Sequence, residues 1–151
     1  MTGTGHRTVP HTADLRIEAW APDREECLAE AVRALVDSFA DVAGARPRRF
    51  ADVRIAAGAD PDLLVAILDE VIYRIDAQDE IPVEVAVRAE HAEVAGAEPG
   101  EPAETVRLSL GLAGLESVGI TGAAPKAVSL SELRCAPEEP GRWLASATID
   151  V

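Results

Sequence analysis

Lysine is almost missing from this chain: Lys126 is the only one, and every other basic residue is arginine. Against 27 acidic residues the 14 basic ones leave a net charge of −13, which argues against independent nucleic-acid binding, because neutralising phosphates needs clustered Lys and Arg. Cysteine is scarce as well. Cys27 and Cys135 show no C-x-x-C spacing, so neither a redox pair nor a zinc site is expected, and both read as packing residues. No stretch approaches the roughly 20 uninterrupted apolar residues of a membrane span. The N-terminus has neither an apolar signal core nor an Arg-rich transit pattern, so a reducing cytoplasm is the expected location. Also missing are G-x-S-x-G, H-E-x-x-H and a complete P-loop, and Gly3-Thr4-Gly5 lacks the third glycine of a nucleotide fingerprint. At 151 residues the chain is long enough to bury a core without disulfide or metal staples, and one domain over 1–151 is the expectation.

What is present is organised around the stretch Asp60 to Asp76, DPDLLVAILDEVIYRID. Asp60 suits a helix cap, Pro61 a first helical position, and no Gly or Pro interrupts the run that follows. Leu63, Leu64, Val65, Ile67, Leu68, Val71, Ile72 and Ile75 cover most of the helix surface. Only a narrow strip with Asp62, Asp69, Glu70, Tyr73 and Arg74 is left polar, so the helix must be buried on more than one side. Eight such side chains contribute on the order of 10–20 kcal/mol on burial, an upper bound because unfolded chains are partly collapsed.

The rest supplies walls for it. Met1 to Thr8 is small and polar and is expected to lack regular structure. Leu15, Ile17 and Ala19 alternate with Arg16, Glu18 and Trp20 as in a half-buried strand. Asp23 with Glu26 forms a capping-box-like start to an amphipathic helix running to about Asp41. Alternation then marks strands around 53–57, 83–89 and 106–112, with a solvated acidic loop at 91–104. A Gly-containing connection from Gly114 to Pro125 leads to a strand at Ala127–Cys135 and a turn through Pro137 and Pro140-Gly141. A last strand follows, with Leu144, Ser146, Thr148 and Asp150 on one face. Two helices among about six strands, in an order unlike repeated βαβ units, predict an α+β fold with largely antiparallel sheets.

Three features bear on chemistry. Asp14, at a strand entrance, and the last strand's Ile149-Asp150-Val151 supply two side-chain carboxylates and the Val151 terminal carboxylate, the oxygen donors that hard cations prefer. The competing reading makes Asp14 a turn residue and Asp150 an edge acid. Lys126, kept where arginine is the default cation, suggests a place that needs a compact ammonium rather than a planar guanidinium. His11, in isolation, fits a hydrogen-bonding loop residue.

The ordered set of His11-Thr12-Ala13-Asp14, a helix beginning Asp23-Arg24-Glu25-Glu26, the central LLVAILDEVIYRID helix, Lys126-Ala127-Val128 and Ile149-Asp150-Val151 resembles the archease family over nearly the whole chain. The resemblance implies a compact fold with two main helices packed between antiparallel β-sheets. It also implies a role as protein cofactor of an RtcB-type RNA ligase in tRNA splicing or RNA repair, promoting GTP-dependent guanylylation and multiple turnover without being a catalyst itself. By position, Asp14, Asp150 and Val151 match the family's metal-binding residues, for Ca²⁺ first and Mg²⁺ or Mn²⁺ as alternatives, while Lys126 and His11 match residues of ligase activation. Ser129 stands where the family usually has Thr, and Leu130-Ser131 where it has an aromatic residue and often His. The implied partner is the ligase, with no membrane and no direct contact to nucleic acid expected. The alternative expectation is a cation-binding or chaperone-like adaptor unconnected with RNA ligation.

Overall fold

The computed structural model describes residues 3–10, 14–90 and 104–151. Its elements run β1 (Gly5–Pro10), β2 (Asp14–Ala21), α1 (Arg24–Asp37), β3 (Ala40–Asp41), β4 (Arg49–Ala57), α2 (Asp60–Gln78), β5 (Glu80–Glu90) and β6 (Glu104–Gly114). A short 3-10 turn (Leu115–Ser117) then leads to β7 (Gly119–Ile120), β8 (Ala127–Val128), β9 (Arg134–Glu139) and β10 (Arg142–Asp150). One sheet is ordered β1-β2-β10-β8 with β9 also on β10, a second is β4-β6-β5, and β3 pairs with β7. All pairings are antiparallel.

The two helices lie between the larger sheets. α1 packs on β1, β2 and β10 on one side and on β5 on the other, while α2 meets β4 and β5 on one side and β8 and β9 on the other. This explains the nearly all-round apolar α2: Leu63, Leu64, Ile67, Leu68, Val71, Ile72 and Ile75 are buried, and Val65 is half-buried. Asp69 and Tyr73 are exposed on the polar strip, and Arg74 Nε donates to Glu70 Oε1 at 3.0 Å. Asp23 caps α1 as the sequence predicts, its Oδ1 accepting from the Glu26 backbone N–H at 2.8 Å. Both cysteines are buried and free, and burial pushes both thiols up to about 12, so they pack as uncharged side chains. Among the described residues no helix is long and apolar enough to cross a membrane.

The structure departs from the sequence expectations at five places. Gly5–Thr8, expected without regular structure, belongs to β1. The segment is weakly apolar, yet its main chain completes the ladder to β2 and the Trp20 ring lies over Gly5, where an added Cβ would meet it at 2.6 Å. Asp60 is not the cap of α2: the cap position is Ala59, with no side-chain bond, and Asp60 lies inside the first turn, accepting from Arg24 Nη1 at 2.9 Å. α1 stops at Asp37 rather than near Asp41, because Ala40–Asp41 pairs with β7 instead. The strand expected over Ala127–Cys135 is two strands, interrupted by a turn in which Glu132 takes a left-handed conformation (φ 58°). Pro137, expected in a turn, lies within β9. Among the described residues that strand bonds only β10, and so it tolerates a missing N–H. The turn itself falls at Gly141, whose φ of 76° suits glycine. Of the 91–104 loop, 91–103 lies outside the described residues and Glu104 begins β6.

Candidate functional site

β2 and β10 are paired in register so that Asp14 stands directly opposite Asp150. Opposed residues of an antiparallel pair project to the same face, with Cβ atoms about 4.5–5.5 Å apart. Ile149 is buried against the helical layer, so the alternation of the strand turns Asp150, and with it Asp14, to the outer face at one end of the sheet. β8 lies along the other side of β10, with Ala127 opposite Asp150. The Lys126 backbone N–H donates to the Asp150 carbonyl at 2.8 Å. Three segments far apart in the chain thus converge on one strand end.

The electrostatics of this tip are unbalanced. Like charges directly opposite on neighbouring strands destabilise the pair, and among the described residues no basic group forms an ion pair with Asp14 or Asp150. Lys126, although its main chain is tied to Asp150, has an exposed side chain that makes no hydrogen bond or ion pair among the described residues. Val151 follows at 36% exposure. Hard oxygen ligands facing one another without a counter-charge are the donor chemistry of a Ca²⁺ or Mg²⁺ site. Among the described residues no group of three or more His, Cys, Asp or Glu is arranged to hold a metal ion. A cation here would therefore take two side-chain carboxylates and fill its shell with main-chain oxygens and water. His11 lies outside the described residues.

Behind the tip, on the same outer face, Arg16 bridges elements. Its Nη2 donates to Ser146 Oγ at 3.2 Å and its Nη1 reaches Thr148 Oγ1 at 3.5 Å. The same Nη1 lies 3.5 Å from Glu132 Oε2 in the turn between β8 and β9. A groove of about 580 Å³ runs here, lined by Arg16, Glu18, Glu132, Arg134, Leu144 and Ser146. Sequence reading missed this network. Period-two alternation does place Asp14 and Arg16 on one face, but nothing local shows that Ser146, Thr148 and Glu132 meet them.

A second cluster, also missed, faces the helical layer. His6 Nδ1 is 2.7 Å from Glu30 Oε2 and Nε2 is 2.6 Å from Asp37 Oδ2. Burial alone pulls the imidazole pKa down, but hydrogen bonds and charge from Glu30 and Asp37 outweigh it and raise the value above that of an ordinary histidine.

Two helices enclosed by antiparallel sheets, with an acidic strand end and one lysine beside it, define a compact α+β protein class. The archease protein family (MTH1598/TM1083) matches residues 6–151, and the chain belongs to that family. A probable protein archease of Mycobacterium tuberculosis is 43% identical over 99% of this chain and 76% of its own length, and the protein archease of Methanopyrus kandleri is 27% identical over 95% of this chain and 96% of its own. The fold is shared with the solution structure of Methanobacterium thermoautotrophicum protein 1598 (TM-score 0.76, 20% identity, 97% of this chain and 99% of that one). It is also shared with an archease, possible chaperone, from Thermotoga maritima (TM-score 0.59, 15% identity, 96% of each chain).

Proposed function

We propose that this chain activates an RtcB-type RNA ligase, promoting GTP-dependent guanylylation and multiple turnover, and that it does so through the Asp14–Asp150 tip. The observation that carries the reading is the convergence, in a member of this family, of two opposed carboxylates, without an ion-pair partner among the described residues, with the chain's only lysine, tethered by its backbone to one of them. Asp14 and Asp150 would hold a divalent cation, Ca²⁺ first and Mg²⁺ or Mn²⁺ as alternatives, with Val151 adding a main-chain oxygen. Such an ion would neutralise the tip and supply positive charge for oxygen ligands of the partner. Lys126 offers a compact ammonium within one residue of the same strand end, able to reach a phosphate or carboxylate without competing for the cation. The chain itself contributes positioning and charge; the bond-making belongs to the ligase.

The test is a reconstituted ligase assay with GTP and manganese. Addition of this protein should raise both the guanylylated fraction and the number of turnovers. Unchanged ligation over a wide range of added protein would defeat the activator reading. The Thermotoga maritima relative's description as a possible chaperone favours the second reading, an adaptor unconnected with RNA ligation. Recovery of unfolded clients without ligase in a pull-down would support that reading instead.

A further inference from the structure

Leu130, in the turn between β8 and β9, is 76% exposed, more than any other large apolar side chain among the described residues. A lone exposed leucine is ordinary on a protein surface, but this one is mounted on a built turn. Before it, the Ser129 backbone N–H donates to the Thr148 carbonyl at 2.9 Å. Around it, the Ser129 and Ser131 hydroxyls are 2.9 Å apart and the Ser131 N–H reaches Ser129 Oγ at 3.3 Å. After it, Glu132 is held left-handed at φ 58° with its carboxylate 3.5 Å from Arg16, and Leu133 returns to pack against the core. The only other non-glycine residue with positive φ among those described is Asp79, which caps α2. Glu132 caps no helix. It sits between the exposed Leu130 and the partly buried Leu133, and such a backbone conformation persists only where the surroundings hold it. Phe50, 70% exposed on the other sheet, differs: it covers Gly111, where an added Cβ would meet its ring at 3.2 Å.

The turn's last bond to β10 is at Thr148, two residues before Asp150, so the turn that carries Leu130 leaves the strand near its acidic end. We infer that Leu130 is the apolar anchor by which this tip docks on its partner, entering a small apolar socket rimmed by basic residues. This rests on the ligase reading above. The occupant follows from charge: Glu132 is two residues from the leucine, and the opposed Asp14 and Asp150 stand at the end of the sheet whose strand the turn leaves, in a chain of net charge −13. A second copy would bring the same acids face to face, whereas a basic, phosphate-handling surface complements them. Arg16 is a positioning residue, acting through Glu132 on the shape of the turn.

The experiment measures equilibrium binding of purified ligase from the same genome to wild-type protein, Leu130→Ser, Leu130→Met and Phe50→Ser. Leu130→Ser should weaken binding by about 10- to 100-fold, the worth of burying one leucine, while Leu130→Met stays within about threefold because it conserves volume and apolarity. Phe50→Ser should bind like wild type. Raising salt should weaken every variant but preserve the ratio between wild type and Leu130→Ser, since apolar burial is not screened. Wild-type affinity in Leu130→Ser overturns the anchor and leaves the ligase reading intact. An equal loss in Phe50→Ser overturns it as unspecific. Failure of wild type to bind the ligase at all overturns the ligase reading and the anchor with it.

Discussion

Lys126 and Asp150 are joined through the main chain while their side chains are left free of each other, which separates the two roles the tip can play. If the ammonium must reach a phosphate or carboxylate on the partner, Lys126→Arg keeps the charge but changes its shape and hydration. Lys126→Arg should therefore keep the wild-type thermal midpoint yet lose most ligase stimulation, approaching Lys126→Ala. Full stimulation by the arginine variant, beside an inactive alanine one, would show that charge alone suffices. The opposed carboxylates make a separate prediction. A cation bound only by the folded state stabilises it by about 2.7 kcal/mol at 100 times its dissociation constant, or about 5–10 °C in midpoint for a chain of this size. Wild type should gain such a shift with Ca²⁺, whereas Asp14→Ala and Asp150→Ala should gain little. Without metal each variant should match or exceed wild type, because one of two repelling charges is gone. Equal Ca²⁺ shifts in all three, read by scanning fluorimetry, would reduce the pair to strand-end acids.

At the scale of elements, β1 is fastened to α1 by His6 between Glu30 and Asp37. Arg33, on the same helix, is 2.6 Å from Glu30 Oε1 and donates to the Val85 carbonyl at 3.1 Å, linking the clasp to β5. Because the folded-state pKa of His6 is raised, protonation favours the folded form. That contribution is complete below the unfolded histidine value of about 6.5 and disappears as pH rises through the folded value. The midpoint of wild type should thus fall as pH rises above about 6.5, and His6→Asn, which cannot titrate, should flatten that part of the profile. Parallel profiles for the two proteins would show that the clasp does not couple to folding. The same element illustrates why the N-terminal segment escaped sequence reading. A strand with few apolar residues carries no period-two signal, and its stability comes from main-chain pairing, a tryptophan over Gly5 and this ionic clasp.

Over the whole molecule, the charge of −13 acts at longer range than any single pair. A basic partner such as the proposed ligase would be steered toward this acidic chain, and the effect would fade as the Debye length contracts from about 10 Å at 0.1 M salt to about 3 Å at 1 M. The association rate with the ligase should fall steeply with ionic strength while the dissociation rate changes less. Stopped-flow or surface measurements that found both rates insensitive to salt would remove charge from the recognition argument. This steering needs only the composition, whereas the contact that follows needs the tip assembled.

The boundary between those two kinds of information runs through particular residues. By itself the sequence determined the α+β class, the buried α2, the Asp23 cap of α1 and the half-buried strands β2 and β10, because hydrophobic period and capping chemistry are local and repeat within a few residues. The sequence suggested grouping Asp14 with the Ile149-Asp150-Val151 segment as one candidate site, through a family resemblance carried by an ordered set of motifs rather than through any one of them. Only the tertiary structure decided that Asp14 and Asp150 share a register position and that Arg16 reaches Ser146, Thr148 and Glu132. Tertiary structure alone also placed His6 between two acids of α1 and held the turn around Leu130 by a left-handed Glu132. Those contacts join distant parts of the chain. They depend on strand register, which a one-residue slip would invert face for face, and no local pattern of residues encodes register on its own.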